Sequence, residues 1–177
     1  VGIVCAKKVL LAWPAVKEGR IRIHAAMMSK EGLQEIELVS PPDVDAFRPS
    51  LTTTADGAYL TRDQYRNGRY EIGLAHYNSQ RWELLKPLSC EGERWLCPKI
   101  LSGHNQDVYL TWVSLKTVCD DRGIVALSPV GMAARIRNRK TEMLPDKKNM
   151  QDPRVVADFR EGLLPKDAGR NYQGLRR

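Results

Sequence analysis

An internal repeat places the strongest constraint on what this chain can fold into. When the sequence is shifted by 49 positions, residues 9–51 align with residues 58–100 in register. A third copy opens at residues 108–112 and has Trp112 where the first copy has Trp13, whereas the middle copy has Arg62. A period near 50 residues is typical of architectures in which each unit buries its faces only by stacking on its neighbours. The chain is therefore predicted to be a repeat protein.

Each copy predicts several short strands joined by tight turns. The middle copy is the clearest, since its runs of β-branched or alternating residues are separated by Asp56-Gly57 and Asn67-Gly68, which are strong hairpin signals. Its four predicted strands cover residues 49–53, 58–63, 69–77 and 81–86. The third copy predicts strands over residues 99–101, 108–114 and 124–127, a long loop at 116–121, and a weaker fourth strand at 133–136. Four meandering strands in about 50 residues match the size of one β-propeller blade.

The last forty residues differ in character. Asp152-Pro153 predicts a helix start, because Asp caps free N–H groups and Pro is tolerated at the first helical position. Val155, Phe159 and Leu163 would share one face of this short helix. The predicted fold class is all-β: a partial β-propeller of about three four-stranded blades with a short helix near the C-terminus. The predicted units are an incomplete first blade at residues 1–48, a second blade at 49–97, a third at 98–136, and a polar linker or helical insertion at 137–177 that leads toward a further blade.

The repeat also resembles a known group of proteins. The positions that carry the resemblance are Pro49, Asp56-Gly57, Tyr59, Gly68, Glu71-Ile72 and Trp82. With these residues, the units over residues 1–136 resemble blades of bacterial β-propellers of the six- and seven-bladed sialidase-like and TolB-like kind. The resemblance implies a fragment of a larger, extracytoplasmic bacterial protein whose remaining blades are its partners. The copies lack the Ser/Thr-x-Asp-x-Gly-x-Thr-Trp box of many sialidases, which argues against sialidase activity.

Composition narrows the classes of partner. The net charge is +7, and residues 137–177 hold 11 Lys or Arg against six Asp or Glu. No basic face interleaved with aromatic residues accompanies this charge, which argues against nucleic acid, although the tail could tether an acidic polymer. No membrane span and no targeting peptide is visible in the sequence.

The histidines and cysteines lack metal-ligand spacing, so neither a metal nor a cofactor is predicted. Cys90 and Cys97 flank a polar loop and are either a disulfide or two unrelated thiols of which one is buried.

Candidate ligand-binding residues come from the loops that a propeller brings to one face. They are Arg48, Arg62, Asp63, Arg94, Trp95, Asp120 and Asp121. A cluster of arginines suits a carboxylate or sulfate, because the guanidinium fork donates two parallel hydrogen bonds. Alternatively, Arg62 is sequence drift or one half of a salt bridge between blades, and the tryptophans are core anchors.

Two functions remain open from the sequence. The first is a non-catalytic binding or scaffolding module whose ligand, a carbohydrate or another anionic molecule, meets the loops around Arg48, Arg62 and Arg94. The alternative is a fragment of a propeller-type glycoside hydrolase whose acids lie partly outside this chain. Catalytic residues are not identified by the sequence.

Overall fold

The computed structural model describes residues 1–5, 8–103, 107–119, 121, 123 and 125–144. This part of the chain is all-β, which confirms the predicted fold class at that level. The predicted helix after Asp152 lies outside the described residues. The thirteen strands are β1 (Gly2–Cys5), β2 (Lys8–Lys17), β3 (Arg20–Ser29), β4 (Gly32–Leu33), β5 (Glu37–Leu38), β6 (Asp45–Thr54), β7 (Gly57–Arg66), β8 (Arg69–Tyr77), β9 (Trp82–Leu88), β10 (Glu93–Ser102), β11 (Val108–Cys119), β12 (Val125–Arg137) and β13 (Lys140–Met143).

The strands form three consecutive antiparallel sheets, each built on a meander of four strands. The first sheet has the order β1-β2-β3-β4, and β5 adds a second short pairing to β3. The second sheet is β6-β7-β8-β9, and the third is β10-β11-β12-β13. The three segments that begin the repeat, residues 9–13, 58–63 and 108–112, all lie in the second strand of their sheets, as the sequence predicted. The repeat in the sequence is therefore a repeat in the topology.

Two parts of the third sheet differ from the prediction. Residues 116–119, predicted as loop, extend β11, because Lys116 pairs with Ser128 and Cys119 pairs with Val125. Residues 133–136, predicted as a fourth strand, instead belong to β12, and the fourth strand is Lys140–Met143. Twelve consecutive cross-strand pairs between β11 and β12 satisfy the backbone here, so polar composition alone was a poor indicator of a loop.

Two apolar layers join the sheets. One layer lies between the first and second sheets, and its buried members are Ala12, Ile23, Ala25, Val39, Val44, Ala46, Leu60 and Ala75. The other lies between the second and third sheets, and its buried members are Tyr59, Ile72, Leu74, Trp95, Ile100, Val108, Leu110, Trp112, Ala134 and Ile136. Alternation along a strand sends successive side chains to opposite faces, so β7 supplies Tyr59 to one layer and Leu60 to the other. The second sheet is thus covered on both faces, which explains why the first eight residues of β7 are all buried.

Candidate functional site

The first strands of the second and third sheets share an irregularity. Strand β6 shifts register between Phe47 and Ser50, and β10 shifts between Leu96 and Lys99. Inside these two bulges, Arg48 and Cys97 have φ angles of 47° and 56°. Each precedes a proline, and the two positions are 49 residues apart, so the bulge is part of the repeat. A non-glycine residue held at positive φ costs about 1–3 kcal/mol and persists only where its surroundings hold it in place.

One buried carboxylate links the two bulges. Asp63 of β7 is fully buried, and it accepts hydrogen bonds from Arg48 through Nε, at 2.8 and 3.1 Å from its two oxygens, and through Nη2. The Cys97 N–H also donates to Asp63 Oδ2, at 3.5 Å. The hydrogen bond to Asp63 is the main cause that raises the pKa of Arg48 above its ordinary value. Arg48 is therefore charged at any physiological pH and is held by one edge of its guanidinium.

The rest of the Arg48 side chain faces solvent. It is 54% exposed, whereas its partner Asp63 is fully covered. A guanidinium that is anchored by one carboxylate and open elsewhere is a preorganised donor for a second anion. Its side chain is already ordered in the unliganded protein, so binding costs little further conformational entropy. The structure therefore brings together Arg48, Asp63 and the Cys97 peptide, two of which were candidate residues.

Arg62, another candidate, lies on the opposite face of β7. It is 1% exposed, and its neighbours are Gln64 on the same strand and Gly73 and Glu71 on β8. Burial lowers its pKa to about 10, so the side chain remains charged at neutral pH. Among the residues described, it forms no ion pair, so the structure does not show the salt bridge between sheets that the sequence left open.

Trp95 belongs to a second cluster around Glu93. Trp95 is only 6% exposed, and its ring centre lies 4.9 Å from that of Trp112. Its Nε1–H donates to Glu93 Oε2 at 2.8 Å, the Ser114 hydroxyl donates to the same oxygen, and Lys116 Nζ lies 3.0 Å from Oε1. The Ser114 and Trp95 hydrogen bonds are the main causes that lower the pKa of Glu93 to about 2. In this position Trp95 is a core anchor.

We expect the Glu93→Gln variant to lose part of the pH dependence of stability in acid. Because the pKa of Glu93 is about 2 when folded and near 4.5 otherwise, its ionised form stabilises the fold above pH 4.5. That contribution is lost as the pH falls from 4.5 toward 2. Urea denaturation followed by circular dichroism at several pH values measures it. Ser114→Ala, which removes the strongest donor but keeps the carboxylate, should show an intermediate slope, and an unchanged acid slope in Glu93→Gln would contradict the assignment.

The remaining candidates are dispersed. Arg94 is exposed on β10, and Asp121 is exposed in the turn between β11 and β12. No hydrogen bond or ion pair joins either of them to Arg48 within the part of the chain that is described, and Asp120 lies outside it. Cys90 and Cys97 are both free thiols in the structure, and both are exposed, so neither is the buried thiol that the second alternative predicted.

Sequence reasoning missed two contributors to these clusters. Glu93, which holds Trp95 and Ser114, was treated as part of a polar loop, and the role of the Cys97 peptide was not anticipated. One signal was present, since Arg48-Pro49 and Cys97-Pro98 recur at the repeat period. Proline cannot donate to the ladder of a sheet and is confined there to edge strands or bulges, so a proline that recurs inside a predicted strand indicates such a position.

Two further features were considered for the described residues, a metal site and a membrane-spanning helix. No group of three or more His, Cys, Asp or Glu side chains converges there in a way that could hold a metal ion. The described residues also contain no helix with the length and apolar character needed to cross a membrane.

Comparison with known proteins gives little further information. No protein-family model matches the chain, and no curated protein matches it. Among solved structures, it is similar to a mannose phosphorylase from Leishmania mexicana, MPT-4, determined in complex with phosphate ion. The two share 9% sequence identity with a TM-score of 0.46, and the match covers 80% of this chain. The matched part is 50% of the phosphorylase, so this chain spans about half the length of that protein.

Proposed function

We propose that the three sheets are successive blades of an incomplete β-propeller and that the module binds an anionic carbohydrate without catalysis. The packing of first strands supports the propeller. Strand β10 lies against β6, with the Ile100 N–H donating to Ser50 Oγ at 3.3 Å and the Ser102 N–H to Thr52 Oγ1 at 2.8 Å. Strand β6 packs in turn against the strands of the first sheet. The proposed partners of the module are the remaining blades of a parent protein.

The observation that carries the binding proposal is the half-exposed guanidinium of Arg48, anchored to the buried Asp63. In the proposed propeller, first strands line the central channel, and the bulge displays Arg48 there. A carboxylate or sulfate on a sugar would accept hydrogen bonds from the free edge of this guanidinium. Arg94, exposed on the neighbouring first strand β10, would supply a second positive charge. Asp121, in an exposed turn at the same end of the strands, would border the ligand.

The state of two acids favours binding over glycoside hydrolysis. A glycosidase needs one carboxylic acid whose pKa is raised enough to donate a proton, next to a second carboxylate that the substrate can reach. Asp63 is buried and already accepts hydrogen bonds from Arg48 and Cys97, and the pKa of Glu93 is lowered to about 2. Asp63 is thus out of reach of a substrate, and Glu93, with its lowered pKa, is ionised at neutral pH and has no proton to donate. The glycoside hydrolase alternative would therefore require acids other than these two.

We expect Arg48→Gln to weaken binding of a sulfated oligosaccharide by roughly 10- to 100-fold, because a hydrogen bond to a charged group contributes about 1.5–3 kcal/mol. The probe is a chondroitin sulfate hexasaccharide measured by isothermal titration calorimetry, with a neutral dextran oligosaccharide of equal length as the control ligand. Arg81→Gln is the matched control variant, since Arg81 is exposed at the opposite end of the second sheet.

Three outcomes separate the hypotheses. Weaker binding in Arg48→Gln, with Arg81→Gln unchanged, supports the proposal. Equal affinity of all three proteins for the sulfated and neutral sugars would refute it. Release of shorter oligosaccharides during the titration, detected by mass spectrometry, would favour the hydrolase.

A further inference from the structure

The interface between the first and second sheets contains a charge where its counterpart is aromatic. In the third sheet, Trp112 of β11 packs on Trp95 of β10. The matching positions of the second sheet are Arg62 on β7 and Ala46 on β6, because Ala46 pairs with Gln64 as Trp95 pairs with Ser114. At these positions the layer between the second and third sheets contains two indoles, whereas the layer between the first and second sheets contains a methyl group and a guanidinium.

Among the described residues, no side chain pairs directly with the Arg62 charge. Its Nε and Nη1 are buried, and neither forms a hydrogen bond within the described part of the chain. The charged groups that act on it are two arginines, Arg22 and Arg66, and one acid, Glu71. Glu71 Oε1 already accepts from Gln64 Nε2 at 2.8 Å and lies 3.7 Å from Arg66. Arg66 is also paired with Asp43, at 3.1 Å. Among these groups three arginines, Arg62 included, face two acids, and an excess of positive charge at a buried guanidinium is costly unless a counter-charge is supplied.

Small residues are common in the layer on the same side of β7 as Arg62. The layer between the first two sheets includes the alanines Ala12, Ala25, Ala46 and Ala75. Gly73 lies directly beside the guanidinium, where a methyl group would come within 2.8 Å of Arg62 Cζ and would also overlap Gln64 Oε1. The absence of a side chain at Gly73 therefore leaves the space that the guanidinium occupies. A ligand at this position would have to be small, since Arg62 is only 1% exposed.

We propose that a small monovalent anion of the halide class binds between the first and second sheets and accepts hydrogen bonds from Nε and Nη1 of Arg62. This site is separate from the Arg48 surface, because Arg62 and Asp63 lie on opposite faces of β7. The anion neutralises the excess of arginines, joins the two sheets at a layer that has no aromatic pair, and makes the stability of this interface depend on the anion.

The test compares sodium chloride, sodium bromide and sodium gluconate at constant ionic strength. For the wild-type protein we expect the thermal midpoint to rise saturably with halide, by roughly 3–6 °C at ten times the dissociation constant, and not with gluconate. Arg62→Met, which keeps the length of the side chain without the charge, should abolish the rise. Arg81→Gln, which removes an exposed arginine elsewhere on the second sheet, should retain it.

A second measurement does not depend on a variant. Crystals of the wild-type protein grown in bromide should show an anomalous scattering peak within hydrogen-bond distance of Arg62 Nε or Nη1. Absence of that peak, with Gln64 Oε1 turned to accept from Arg62, would overturn the proposal. An equal halide response in wild type and Arg62→Met would overturn it as well. Since Arg62→Met leaves Arg48 intact, its oligosaccharide affinity should be unchanged, so failure here is distinguishable from failure of the proposed function.

Discussion

Replacing Gly57 by Ala should destabilise the protein by roughly 2–5 kcal/mol, combining backbone strain with overpacking. Gly57 begins β7 with a φ of 138°, a conformation that L side chains rarely adopt. A Cβ there would overlap the carbonyl oxygen of Tyr77, which is backbone on the neighbouring strand β8 and cannot rotate away. It would also lie 3.4 Å from Nε2 of the buried His76. The end of the second sheet would have to open to accept the substitution.

The matched control is Gly68→Ala in the next turn of the same sheet. Gly68 also has a positive φ, of 80°, but a Cβ there would meet nothing within 4 Å. Only the conformational cost applies, which is about 1–2 kcal/mol. Urea denaturation of both variants, followed by circular dichroism, separates steric overlap from backbone strain. Equal losses of unfolding free energy in the two variants would show that the contact with Tyr77 is not the cause.

The architecture could be predicted because local and repeated signals agree. Asp56-Gly57 and Asn67-Gly68 were predicted as hairpin turns, and β6, β7 and β8 meet at these positions. The strand predicted over residues 69–77 has the same bounds as β8. A turn is determined by a few neighbouring residues, so it can be predicted without knowledge of the tertiary structure. The repeat also allows each assigned strand to be compared with the matching strand of another copy, which exposes errors.

The candidate site was less predictable, because its geometry depends on long-range contacts. Arg48 and Arg62 were placed in one cluster, yet β7 turns Arg62 and Asp63 to opposite faces, so only Asp63 meets Arg48. The distinction follows from strand alternation only when the bulge of β6 is known. That bulge shifts the register between Phe47 and Ser50, and its signal in the sequence is the proline that recurs at residues 49 and 98, which does not give the direction of the shift.

The Trp112→Ala variant should lose about 3–5 kcal/mol of unfolding free energy, the usual cost of removing a large buried aromatic side chain. Trp112 is 2% exposed and fills the layer between the second and third sheets together with Trp95. Because the backbone of β11 is held by pairing on both sides, the layer cannot collapse fully onto the lost volume. Trp112→Phe keeps a ring on Trp95 and should lose less than half as much.

The same variant tests whether the sheets depend on each other as stacked blades must. If the interface at Trp112 supports both sheets, Trp112→Ala lowers the midpoint of a single unfolding transition, monitored by circular dichroism and by hydrogen exchange in β7 and β11. Loss of protection in β11 alone would show that the second sheet is stable without the third. A loss of less than 1 kcal/mol would mean that the Trp95–Trp112 pair does not join the sheets, and the proposed stacking of blades would fail at its best-packed interface.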